Sequence, residues 1–267
     1  MPPAPRLSDE IRTYAVPGGD LFAELSASAS LEDVGKGRRG ATLTRADEAD
    51  GVPLVRTTTR YGSPTQRFRA VHERLARQIQ ERAALPVGFN NALLETYTNA
   101  YTTMGAHSDQ ALDLADDSFI AVFSCYRHPE AGPPRKLLFA SKQTAGETAG
   151  ETAGETAGET FEVPLAHHSV VVFSVEANRR LRHRIVLEKP VPAADNEWLG
   201  VTFRTSKTLL RFRDGQARLP WGERLVAADE EQRREFYRLR RRENDERDFV
   251  YPPLTYTVSE SDLVPPV

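Results

Sequence analysis

Hydrophobic and polar positions along the chain change their spacing near residue 90. A helical stretch is expected around 20–30, and 52–60 (VPLVRTTTR) is rich in β-branched residues before the turn signal Tyr61-Gly62-Ser63-Pro64. Apolar residues then recur three or four apart at Phe68, Val71, Leu75 and Ile79. That spacing predicts an amphipathic helix over 68–84, stopped by Pro86. Beyond it the runs shorten: 92–97, 119–126, 135–140, 161–164, 170–175, 183–187 and 199–205 are of strand length and bounded by Gly, Pro, Asn or Asp. Such a succession predicts a mainly β fold with flanking helices, a sandwich or barrel of antiparallel strands.

Two segments depart from this texture. Residues 144–160 repeat Thr-Ala-Gly-Glu four times, with no aromatic or β-branched core, and read as a solvated, mobile hairpin extension. Residues 227–248 carry seven arginines against eight acids, with Phe236 and Leu239 as the large apolar positions, and read as a solvated helix docked by a thin apolar stripe. The tail after Pro252 is expected to be extended. The chain thus divides into an N-terminal extension with a short helix (1–50), a β domain (51–212) interrupted by the repeat, and a charged helix with its tail (213–267).

Composition narrows the class. The 267 residues are 39% hydrophobic and 27% charged, which excludes a helical membrane protein and a wholly disordered one. Apolar runs such as 170–173 fall far short of the roughly 20 residues that span a bilayer. The start, MPPAPRLSDEIR, lacks a signal peptide's apolar core, and the lone Cys125 cannot form an internal disulfide, so a cytoplasmic protein is expected. The net charge of −3 gives no global attraction to nucleic acid. A local +3 over 176–189, including Arg179, Arg180, Arg182 and Arg184, could face phosphates, although Arg182 and Arg184, which flank His183, would more commonly face outward and pair with local acids.

The candidate chemistry centres on His107-Ser108-Asp109. In an extended segment side chains at i and i+2 share a side, so an imidazole nitrogen and a carboxylate oxygen can converge on one ion. A third ligand should come from a later strand, and His183, in Arg182-His183-Arg184-Ile185-Val186-Leu187, is placed for it. Two imidazoles and one carboxylate leave three positions open on a metal, the arrangement of non-haem Fe(II) oxygenases. His167 and His168 are rivals at a turn, whereas His72 and His128 read as surface residues. A dicarboxylate co-substrate would need a fork-shaped cation. Arg204 shares the polar face of 199–205 with Thr202 and could line a cavity, or could equally cap the strand at the surface.

Taken together, Tyr97, His107-Ser108-Asp109, the strand 170–173, His183 and Val201-Thr202-Phe203-Arg204 resemble the AlkB-like Fe(II)/2-oxoglutarate dioxygenases in order and approximate spacing, over roughly 52–210. The resemblance implies a double-stranded β-helix (jelly roll) with His107, Asp109 and His183 on the metal. Tyr97 and Arg204 would contact 2-oxoglutarate. It also implies Fe(II) and O2 as cofactor and oxidant, with succinate and CO2 as products, and hydroxylation or oxidative demethylation of a nucleobase, nucleotide, protein or related small molecule. Two positions depart from the family pattern: Trp198 stands where a first arginine would, and Glu95 where an asparagine would. Arg204 would then bind the co-substrate with help from Lys207 or a differently placed arginine. The segment 56–68 loosely resembles the family's substrate-covering lid, where Tyr61 could stack a base. A jelly-roll module without catalysis, and a metal enzyme that does not use 2-oxoglutarate, are the alternatives.

Overall fold

The computed structural model describes residues 10–47, 51–142, 160–188 and 196–267; the Thr-Ala-Gly-Glu repeat lies almost wholly outside them. In chain order the strands are β1 (Arg12–Ala15), β2 (Glu32–Gly35), β3 (Arg38–Thr44), β4 (Val52–Leu54), β5 (Gln66–Arg67), β6 (Asn91–Tyr97), β7 (Phe119–Tyr126) and β8 (Lys136–Ser141). They continue with β9 (Thr160–Pro164), β10 (Ser169–Ser174), β11 (Leu181–Val186), β12 (Trp198–Arg204), β13 (Thr208–Arg213), β14 (Gln216–Arg218), β15 (Val226–Ala227) and β16 (Tyr256–Thr257). The helices are α1 (Leu21–Ser26), α2 (Ala70–Arg82), α3 (Val175–Arg180) and α4 (Glu230–Asp245).

The order of pairing gives the architecture. The main sheet runs β1-β10-β7-β12-β6-β3-β2, and its pairs along this path are antiparallel. A smaller sheet runs β11-β8-β9, and the segment 103–107 adds to it through bridges from Thr103 to Val186 and from His107 to His183. From β6 to β12 the chain therefore passes main, small, main, small, small, main, small, main. This is the winding of a double-stranded β-helix, the jelly roll expected from the sequence.

The strand pattern explains why two sheets form. In β7, Ile120, Val122 and Tyr126 join the core between the sheets, while Ala121, Phe123 and Cys125 join the core behind the main sheet. β10 divides likewise, with Val171 and Phe173 inside and Val170 and Val172 outside. Both faces are covered, so these strands read as continuous apolar runs rather than as alternating ones. The outer core is closed by Leu25 of α1 and by Val71, Leu75 and Ile79 of α2, each nearly fully buried. Burial of an aliphatic side chain of this size contributes about 2 kcal/mol, so one α2 residue exchanged for a charge would loosen the whole layer.

Several expectations are corrected. The first 50 residues hold, besides the helix Leu21–Ser26, three strands that extend the main sheet on both edges. His72 is fully buried rather than at the surface: its Nδ1 accepts from Arg69 N at 3.0 Å and its Nε2 lies 2.7 Å from Ser28 Oγ. The tail after Pro252 includes β16 and a short 3-10 turn, Glu260–Leu263, and Val267 N donates to Thr65 O. No helix among the described residues is long and apolar enough to cross a membrane.

Candidate metal centre

His107 and His183 face each other across the edge of the small sheet. His107 N donates to His183 O (2.9 Å) and His183 N donates to His107 O (2.7 Å), a closed backbone pair that sets both rings on one side, 4.7 Å apart. Asp109 follows on irregular backbone, clasped by Asn178: Asp109 N donates to Asn178 Oδ1 (2.8 Å) and Asn178 Nδ2 donates to Asp109 O (2.7 Å). Asp109 Oδ1 then stands 4.0 Å from His107 Nε2 and 3.7 Å from His183 Nε2, and one ligand atom from each of the three residues lies within 4.8 Å of the others.

The electrostatics suit a cation there. His107 Nδ1 lies 3.0 Å from Gly105 O, so the proton sits on Nδ1 and the Nε2 lone pair points at Asp109. Desolvation lowers the pKa of both imidazoles, that of His183 to about 3, so both are neutral donors at neutral pH. Burial pushes the Asp109 carboxyl up, but the Arg204 guanidinium and His183 outweigh it and hold the acid well below the usual carboxylate range. Arg204 Nε donates to Asp109 Oδ2 at 2.7 Å, leaving Oδ1 turned toward the imidazoles.

A cavity of about 90 Å³ opens beside the triad, lined among others by Arg38, Glu95, Tyr97, Gln110, Thr202, Arg204 and Arg240. Arg204 is buried and lines it, so it is not a surface cap. Arg204 Nη1 and both amide atoms of Gln110 are buried without a partner among the described residues. Buried polar atoms of this kind are rare and await a ligand or water.

The deep end of the cavity differs from the expectation. Tyr97 is fully buried, but its hydroxyl donates to Glu95 Oε2 at 2.8 Å. Glu95 Oε1 in turn accepts from Arg38 Nε at 2.7 Å, and Arg38 Nη2 donates to Thr59 Oγ1 at 3.0 Å. Trp198 lies 4.7 Å from the Tyr97 ring and covers Gly200, where a Cβ would meet the indole at 2.1 Å. Only glycine leaves room for the ring at that position. Arg38 lies at this end of the cavity, its Cα paired with that of Tyr97 across β3 and β6. Lys207 stands elsewhere, at the surface, 3.4 Å from Asp116.

Other candidates fall outside the cavity. His167 accepts from Tyr126 N through Nδ1 and stacks on His168; neither joins the metal-ligating group. Tyr61 is buried with its hydroxyl over Gly40, so it offers no face for stacking a base. Arg179, Arg180 and Arg182 pair with Asp116, Glu10 and Asp245. Arg38, Gln110 and Arg240 are the cavity residues that sequence reasoning missed. The alternation in Arg38-Arg39-Gly40-Ala41-Thr42-Leu43-Thr44 was the one available signal for Arg38.

No family model matches this chain, and no curated protein matches it. Among solved structures it is similar to OsALKBH1, at 12% identity and a TM-score of 0.45, covering 73% of this chain and 96% of that one. It is also similar to a Pseudomonas putida prolyl-4-hydroxylase, at 15% identity and a TM-score of 0.42, covering 74% of this chain and 96% of that one. Likeness at this level assigns no activity.

Proposed function

We propose that this chain is an Fe(II)/2-oxoglutarate-dependent dioxygenase, of the AlkB-like kind its sequence resembles, that hydroxylates or oxidatively demethylates a nucleobase, nucleotide or related small molecule in a reducing compartment. The observation that carries the reading is the convergence of His107 Nε2, His183 Nε2 and Asp109 Oδ1 beside a small cavity in a jelly roll. Two neutral nitrogens and one carboxylate oxygen fit a ferrous ion and leave positions for co-substrate and O2. Bound iron supplies oxygen activation, coupled to conversion of 2-oxoglutarate to succinate and CO2.

The protein's own groups have separate tasks. Gly105 O fixes the tautomer of His107, and Arg204 orients Asp109 through Oδ2 so that Oδ1 is presented to the ion. Among the described residues Arg204 Nη1 and Gln110 Nε2 lack partners and are the donors a carboxylate would meet beside the metal. Arg38 would hold the distal carboxylate, which requires Glu95 to give up both Arg38 and the Tyr97 hydroxyl.

That requirement favours a second reading, a metal oxygenase that takes no dicarboxylate, because Glu95 already fills the anchor. Succinate formation separates the two. The first reading expects succinate only when Fe(II), 2-oxoglutarate and O2 are all present, with stimulation by methylated oligonucleotides, free nucleotides or a metabolite extract. Metal-dependent turnover of any of these without succinate would support the second.

A further inference from the structure

The charged C-terminal helix has no part in the jelly roll, yet three of its side chains meet the backbone that carries Asp109. Arg240 Nη2 donates to Ser108 O at 2.8 Å, Ser108 N donates to Asn244 Oδ1 at 3.0 Å, and Ala111 N donates to Glu243 Oε1 at 2.8 Å. Arg240 and Glu243 are both nearly fully buried and form an ion pair, and Tyr251 Oη donates to the same carboxylate at 2.6 Å. From the opposite side Ser108 Oγ donates to Leu181 O at 2.8 Å, and Asn178 clasps Asp109. Residues 108–110 belong to no helix or strand, so the position of Asp109 is set by these side chains rather than by a backbone ladder.

We infer that α4 is the positioning element of the metal centre: Arg240, Glu243 and Asn244 hold the main chain at Ser108 and Ala111 so that Asp109 meets the two imidazoles. The inference rests on the metal-centre reading above and adds a role for 230–245. These are positioning residues, since they act through the backbone of the ligand segment. Buried charges on a helix are costly unless paired and hydrogen-bonded, and here each is paired while also bonding a main-chain group of 108–111.

The test is Co(II) binding by the full-length chain, followed by calorimetry and by visible absorption bands. Asn244→Leu removes the acceptor for Ser108 N, Asn244→Asp keeps one, and Arg234→Ala perturbs the exposed start of the same helix. Outer groups that orient ligands typically change metal affinity by about 10- to 100-fold. Asn244→Leu is therefore expected to weaken Co(II) binding at least about tenfold and shift the bands. Asn244→Asp and Arg234→Ala should stay close to wild type, and melting temperatures should remain similar throughout. Unchanged affinity in Asn244→Leu, equal losses in both Asn244 variants, or a matching loss in Arg234→Ala would overturn the inference while leaving the metal reading intact. A wild-type chain that takes up no Co(II) would overturn both.

Discussion

The two ends of the cavity are built by opposite rules. At the candidate metal end, His107 Nε2, His183 Nε2 and Asp109 Oδ1 face one another without hydrogen-bond partners among the described residues; Gly105 O and Arg204 bind the far sides of His107 and Asp109, while His183 Nδ1 is buried without a partner there. At the deep end, Arg38, Glu95 and Tyr97 satisfy one another, and Trp198 fills the space over Gly200. Polar groups that point at one spot and lack partners mark a place kept for a ligand, whereas groups that satisfy each other mark a place that holds itself together. The metal end is prepared; the deep end must be opened or is a permanent wall.

The largest expected effect lies at the prepared end. His183→Ala should abolish stoichiometric Fe(II) or Co(II) uptake, measured by calorimetry, and should end turnover; full retention of binding would place the third ligand elsewhere. At the deep end, Trp198→Ala should cost about 3–5 kcal/mol in denaturant unfolding, the usual range for emptying a buried large aromatic site. A smaller loss would mean that the site collapses easily and that the wall is not rigid.

Glu95→Gln removes the charge that neutralises Arg38 and weakens the hold on the Tyr97 hydroxyl. If the deep end is an anchor in waiting, the KM for 2-oxoglutarate should fall roughly tenfold, the worth of one charge-assisted hydrogen bond. If it is a wall, KM will not move.

The effect most remote from the cavity lies behind the main sheet, away from both ends. Burial lowers the pKa of His72 to about 4, and its Nδ1 is occupied by Arg69 N. A histidine depressed on folding contributes stability that is fully present above the unfolded value of about 6.5 and is lost as pH falls toward 4. Unfolding free energy should therefore drop by about 3 kcal/mol between pH 7 and pH 4 through this group. His72→Gln should flatten that part of the profile; an unchanged slope would assign it to other residues.

How much was legible in the sequence follows the same divide. His107, Asp109, His183 and Arg204 could be read because the chemistry of metal binding demands particular residue types at short spacing or at a strand end. The apolar runs at 119–126 and 169–174 were plain because strands buried on both faces stand out against any background. β1 and β2 were hidden because they are short edge strands, and β3 (Arg38–Thr44), although it lies between β6 and β2, mixes charge and small residues with few apolar ones. Arg38 was hidden with them, since nothing local says that a strand near residue 40 pairs with one near 95. Arg240 and Glu243 were read as solvent-facing because a buried ion pair and an exposed one share the same letters. Their contact with Ser108 and Ala111 spans more than a hundred residues.

The proposed activity stands on one ferrous ion shared by three side chains. The most direct measurement is anomalous scattering at the iron edge from crystals of the full chain soaked anaerobically with Fe(II). A single peak within bonding distance of His107 Nε2, His183 Nε2 and Asp109 Oδ1 is the predicted result. A peak elsewhere, or none at full occupancy of added iron, would contradict it.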